Sequence, residues 1–252
     1  MIYEVAIIGA GPAGISSAVT CKSLNINHIL IDEAEHIGGL IKNAYKKELY
    51  DNVVKMAVSK DIFHFIGKVT EIKKTSNIYS LVLNNRELKA KKIILATGTR
   101  AKQLAHTGLN VFYDLVSIKK TYSELNNRIV HIIGGGEAAF DYALSMSELG
   151  ANVRIVLRSN KEHGDTKVFS DVKNRNIAIS YNVNIDRYLE QVHDDIILVS
   201  IGRVPNIDCI KTDFDIAKES NIIIIGDAKH GALGHANIAI SDGIEAVKSI
   251  CV

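Results

Sequence analysis

Six glycines in this 252-residue chain stand in two groups whose spacing can do chemistry. Gly9, Gly11 and Gly14 in "VAIIGAGPAGISSA" have the spacing G-x-G-x-x-G. Gly134, Gly135 and Gly136 open "GGGEAAFDYAL", with Ala139 at the third small position. In such a loop the first glycine permits a tight turn and the second lets a pyrophosphate approach the backbone. The third lets the following helix pack closely on the strand. The helix N-terminus adds free N–H groups and a partial positive charge. Each loop therefore reads as a cradle for a dinucleotide.

The flanking residues supply the elements that must hold these loops. "YEVAII" is a β-branched run that reads as a buried parallel strand, and a helix is expected from Ala13 to about Leu24. The next strand, "HILID", ends in Asp32, about where a carboxylate should meet a ribose hydroxyl; Glu33 is the alternative one register on. The second loop repeats the order of strand, glycines, helix and a strand over Asn152–Leu157. That strand ends without an acid, in Leu157-Arg158-Ser159-Asn160-Lys161. An arginine can grip a 2′-phosphate that an acid would repel. The tip favours NADPH, with NADH possible; the alternative is a solvated basic turn.

Bulk composition removes other classes. Hydrophobic residues are 47%, charged residues 23%, and the net charge is +2, which describes a globular chain. Basic and acidic residues are mixed along the sequence, with no block that reads as a nucleic-acid footprint. No apolar run approaches the ~20 residues of a membrane span. Met1 is followed almost at once by the first strand, which leaves no room for a signal peptide. The three cysteines, Cys21, Cys209 and Cys251, form no Cys-x-x-Cys, so a cytoplasmic setting is expected and the thiols read as small apolar residues. His230 and His235 share one loop, but two ligands without a third make a poor metal site; none is assigned.

Four further segments complete the pattern. "KKIILATG" ends at Ala96-Thr97-Gly98, "DDIILVSIGRVPN" carries Gly202-Arg203-Val204-Pro205-Asn206, "NIIIIGDA" carries Gly226-Asp227, and "HANIAISDGIEAVKSI" is a closing helix. With the two glycine loops, these resemble in order the two-nucleotide flavoprotein reductases, most closely the thioredoxin reductase branch, over nearly the whole chain. The resemblance implies an FAD site of Gly9, Ala10, Gly11, Pro12, Ala13 and Gly14, with Asp32 or Glu33 at the adenosine ribose. Gly38, Gly39 and Leu40 match the family's Gly-Gly-Gln turn beside the flavin, with leucine in place of the glutamine. Ala96, Thr97 and Gly98 would close over the FAD, Gly226 and Asp227 would hold the ribityl chain, and the helix beginning at Ala236, Asn237 and Ile238 would face the flavin. Gly134, Gly135, Gly136, Glu137, Ala138 and Ala139 would hold the nicotinamide cofactor, with Arg158, Ser159, Gly202 and Arg203 beside it.

The chain departs from that family in the segment "NVFYDLVSIKK", where Asp114 and Ser117 stand in place of the two redox cysteines. Neither can form a disulfide. The chain also looks trimmed after Leu40, and the usual three-stranded meander of the second domain is expected to shrink to one or two strands. Two readings follow. One is an enzyme in which NAD(P)H reduces FAD and electrons leave for an external acceptor: a ferredoxin, a flavodoxin or a small oxidant. The other is a non-catalytic, regulatory flavin-binding protein. Tyr113 and Asp114 are weak candidates beside the flavin, or else turn and packing residues.

The expected fold is α/β, with two Rossmann-like domains of three layers and parallel sheets, one inserted in the other. The FAD domain would take residues 1–105 and 213–252, and the NAD(P)H domain 106–212. "YSLVLNNRELKA" signals a hairpin turning at Asn84-Asn85. The resemblance also implies a homodimer.

Overall fold

The computed structural model describes residues 1–43, 47–84, 86–105, 110–163, 166–192, 194–231 and 235–251. Asn85 and His106, and the side chain of Cys251, lie outside the described set. The chain divides into two compact α/β units, the second lying within the sequence of the first.

The first unit takes Met1–Lys42, Lys47–Arg100 and the residues from Val204 onward. Its central strand is Ile2–Ile8, in which Val5 to Ile8 are all buried. His28–Asp32 lies parallel on one side and Arg86–Leu95 parallel on the other. Ile222–Ile224 adds in parallel to the end of Arg86–Leu95. All these strands end at one edge, so the loops that follow Ile8, Asp32, Leu95 and Ile224 collect there.

Alternate residues of these strands serve two cores, as the two-residue period requires. Val5, Ile7, Leu30 and Ile94 pack with the helices, while Ile8, Ile31 and Leu95 pack with Ile72, Tyr79 and Leu81. The latter three belong to an antiparallel excursion, Val69–Thr75 with Ile78–Leu83, which pairs back onto Arg86–Leu95 as the hairpin signal predicts. Helix Pro12–Ser23 packs on the closing helix Ala236–Cys251 through small residues. A Cβ at Gly243 would collide with the Ala13 carbonyl and Ser16 Oγ, and Ser17 Oγ donates to the Gly243 carbonyl at 3.2 Å.

The second unit is built on Ala101–Arg203. Five parallel strands run in the order Ala178–Ser180, Asn152–Val156, Ile129–Ile133, Ile196–Val199 and Val111–Phe112. Helices Glu137–Glu148 and Thr166–Asn174 share one core, where Phe140 and Phe169 approach at 5.1 Å between ring centroids. Helix Ile185–Gln191 contributes Leu189 to a separate core. One strand carries a fully buried histidine, His131. Both of its ring nitrogens are bonded, to Asp195 at 2.9 Å and to the Tyr188 hydroxyl at 2.7 Å.

The unit boundaries differ from those expected from the sequence. The units part at Arg100/Ala101 and at Arg203/Val204, not after residues 105 and 212. The second difference arises because Lys211–Thr212 joins the first unit's sheet beside Val69–Thr75. Where one or two strands of a meander were expected, the described residues hold one, Ala178–Ser180, which is parallel and extends the main sheet. Among the described residues no helix is long and apolar enough to cross a membrane.

Candidate functional site

The first glycine turn is fixed by contacts that leave one side open. Gly9 has φ +109°, where side chains are strained. A Cβ there would run into the Ala96 carbonyl, and one at Gly14 would strike the Gly9 carbonyl. At Gly11 a Cβ would meet nothing within 4 Å. Helix Pro12–Ser23 starts at this point with Gly11 as its N-cap and without a side-chain cap. Its first N–H groups are thus left for an anion. Asp32 Oδ2 accepts from the Ala10 N–H at 2.6 Å, and Oδ1 from the Ala34 N–H at 2.8 Å. The carboxylate is held against the loop and keeps acceptor capacity for a further donor.

Two clefts of about 320 Å³ each adjoin this turn and share Gly9, Asp32 and Thr97. The first is lined by Gly11, Pro12, Ala13, Gly39, Leu40, Ala96, Gly98, Asp227 and Ala236, all expected from the sequence. Leu49, Ile41, Thr99, Ile225, His235 and Ala239 complete it. None of these carries a motif; only their neighbours in sequence could have pointed to them. Ala10 stands behind the wall, its carbonyl accepting from Gly38 N–H at 2.7 Å. Gly226 also supports from behind, close to the Ala13 methyl. Asn237 and Ile238 line neither cleft, and Ile238 is exposed.

The second cleft takes Glu33, Gly67, Lys68, Arg100, Asn206 and Cys209. Lys68 pairs with Glu33 at 2.9 Å and Arg100 with Asp208 at 2.6 Å. Partial burial pushes the Cys209 thiol pKa up, the opposite of an activated nucleophile.

A dinucleotide fits this arrangement. Its two ends need two contiguous clefts, its pyrophosphate needs the space over Gly11, and its ribose needs a fixed carboxylate. Thr97 Oγ1, where the clefts meet, is a buried hydroxyl oxygen without a hydrogen-bond partner among the described residues. A ligand group is the natural partner for such an orphan.

The second unit repeats the turn. A Cβ at Gly134 would collide with the Ser200 carbonyl, and one at Gly135 with the Leu157 side chain. At Gly136, the N-cap of helix Glu137–Glu148, it would meet nothing within 4 Å. Ala139 is fully buried, as the third position requires. Arg158 is exposed at the strand tip, and the Ser159 hydroxyl donates to the Lys161 carbonyl at 2.7 Å. The His163 N–H bonds the Gly135 carbonyl at 2.7 Å and ties this tip back to the turn. A pocket of about 110 Å³ brings together Ala138, Gly202, Arg203 and Tyr113 with Tyr142 and Ser200. Burial pushes the Tyr142 hydroxyl pKa up, partly offset by Arg203.

Asp114 has a structural task. It caps helix Leu115–Thr121, accepting from the Ser117 N–H at 2.8 Å and from the Ser117 hydroxyl at 2.8 Å. Asp114 and Ser117, the positions that the family resemblance equates with a redox pair, are therefore bonded to each other. Tyr113 packs in a core, and its hydroxyl oxygen accepts from the Leu104 N–H at 3.1 Å. Among the described residues no cluster of histidine, cysteine and carboxylates could hold a metal.

Two glycine turns on two α/β units, each with an open glycine at the start of its helix (Gly11 and Gly136), define a protein for two nucleotides. The sequence belongs to the pyridine nucleotide-disulphide oxidoreductase family, matched over residues 3–239. As a member it is an NAD(P)H-dependent flavoprotein oxidoreductase. It is 25% identical over 252 residues to a thioredoxin reductase of Treponema pallidum (strain Nichols), covering 92% of this chain and 82% of that one. It is also 25% identical over 261 residues to a ferredoxin–NADP reductase of Lactococcus lactis subsp. cremoris (strain SK11), covering 87% and 79%. The T. acidophilum thioredoxin reductase shares the fold, with a TM-score of 0.81 at 22% identity over 99% of this chain and 97% of that one.

Proposed function

We propose that this chain uses NADPH and FAD to reduce an external acceptor directly from the flavin, without an internal disulfide. The acceptor is a ferredoxin, a flavodoxin or a small oxidant. The observation that carries the reading is the contrast between the two loops and the missing relay. Both turns keep an open glycine at the helix N-cap, Gly11 and Gly136, while Asp114 and Ser117 are joined by hydrogen bonds where two sulfurs would be needed.

The flavin, when bound, supplies hydride acceptance from the nicotinamide and release of electrons to the acceptor. The chain's own residues do the rest. Gly9, Gly11 and the first N–H groups of helix Pro12–Ser23 take the FAD pyrophosphate, and Asp32 takes the adenosine ribose. Thr97 and Asp227 give the flavin end its polar contacts. The N-terminus of the closing helix lends positive potential. Gly134, Gly136 and the N-terminus of helix Glu137–Glu148 take the nicotinamide cofactor, and Arg158 its 2′-phosphate. A homodimer and a cytoplasmic setting go with this reading, and gel filtration tests the first.

The deciding experiment is anaerobic. NADPH should bleach the bound flavin within seconds, and the reduced protein should then be reoxidised by one member of a panel of ferredoxins, flavodoxins, quinones and oxygen. Absence of bleaching over an hour would replace the enzyme with a flavin-binding module. Reoxidation by protein disulfides alone would defeat the direct-flavin route.

A further inference from the structure

Asp227 reaches the flavin-side cleft from a short turn. It opens a four-residue helical segment, Asp227–His230, too short to be stable alone. The residue before it, Gly226, has φ +61°, a conformation set by the chain's path. One atom of the closing helix binds on both sides of this segment. Asp242 Oδ2 accepts from the Gly226 N–H at 2.9 Å and from His230 Nε2 at 2.8 Å. The residue just before Asp227 and the residue that ends the turn are thus tied to one carboxylate. That side chain is only 12% exposed, so water competes weakly for it.

We propose that Asp242 and His230 are positioning residues for the cofactor: together they fix Asp227 against the cleft and so set how tightly the chain retains FAD. The inference rests on the FAD reading given above. A packing role for the pair would lower stability whatever stood at position 227. A positioning role acts through Asp227 and vanishes when that carboxylate is gone. An imidazole Nε2–H can be replaced by the amide N–H of glutamine, so His230→Gln keeps the bond that His230→Ala removes.

The experiment titrates apoprotein with FAD and follows quenching of flavin fluorescence. Asp227→Ala and Asp242→Ala should each weaken binding about tenfold or more, the scale of a lost charge-assisted hydrogen bond. His230→Ala should weaken it about fivefold, and His230→Gln should stay within about twofold of wild type. In the Asp227→Ala background, adding His230→Ala should cost nothing further. Equal losses in the His230→Ala and His230→Gln variants, or additive losses in the double mutant, would overturn the proposal. So would wild-type affinity in His230→Ala. If Asp242→Ala fails to fold, the His230 pair and the double mutant still decide. Wild-type apoprotein that binds no FAD at all would remove the parent reading, an outcome distinct from loss confined to Asp227→Ala.

Discussion

At the scale of single residues, the six loop glycines divide into those the protein itself crowds and those a ligand would crowd. Gly11 and Gly136 are of the second kind. Changing Gly11 to valine should therefore leave the fold standing and remove the flavin, giving a colourless protein with an unchanged circular dichroism spectrum. A fully loaded yellow variant would show that the first turn has been misassigned. Arg158→Ala should weaken NADPH binding and hardly change NADH binding. Because the side chain is exposed, the effect should lie near the low end of charge-assisted contacts, roughly tenfold. Equal losses for both cofactors in a binding titration would remove the 2′-phosphate role. The glycines and Asp32 were legible in the sequence because their spacing is dictated by backbone sterics. The cleft residues Leu49, Ile225 and His235 were not, because each arrives from a different element and nothing local marks it.

At the scale of elements, two attachments decide how the first unit holds its cleft. The closing helix lies on helix Pro12–Ser23 so closely that Gly243→Ala would push a methyl group into the Ala13 carbonyl. Overpacking of this kind costs roughly 1–3 kcal/mol, so the variant should melt several degrees lower and release flavin on gel filtration. The second attachment ties the antiparallel excursion to the segment before Ile222–Ile224. Glu219 receives Lys74 Nζ at 2.8 Å and the Tyr79 hydroxyl at 2.5 Å. Lys74, and then Tyr79, hold the Glu219 carboxyl below its ordinary pKa. A carboxylate depressed in the folded state stabilises the fold above its unfolded pKa and loses that contribution as pH falls through the folded value. Urea midpoints should thus drop below about pH 4, and Glu219→Gln should flatten that part of the profile. An unchanged acid limb would show that the cluster contributes nothing. The hairpin was readable from "YSLVLNNRELKA"; the Tyr79–Glu219 bond, between residues far apart in sequence, was not.

At the scale of the whole molecule, the double device is the clearest message of the sequence, since two strand–glycine–helix units announce two nucleotide sites. The boundaries between the units were not readable. They fall where Arg203–Pro205 pairs with Thr99–Ala101, and short strands of this sort have no hydrophobic period to mark them. The direct-flavin route makes a prediction for the entire chain. Cys21 is fully buried and Cys209 sits in the second cleft, away from the Asp114–Ser117 segment in sequence. Replacing Cys21, Cys209 and Cys251 together with serine or alanine should leave NADPH-driven dye reduction nearly intact. A Cys251 single variant that lost protein-disulfide reduction would reinstate a thiol relay.

The bonded pair at Asp114 and Ser117 also has a pharmacological meaning. Trivalent arsenicals and gold(I) compounds disable dithiol enzymes by bridging two neighbouring sulfurs. Here the equivalent positions offer a carboxylate and a hydroxyl already committed to each other, soft metals bind such oxygens poorly, and Cys21 is fully buried. Electron flow through this protein should therefore continue at doses that silence a disulfide-based reductase in the same tube, and an inhibitor would have to compete for the nucleotide clefts instead.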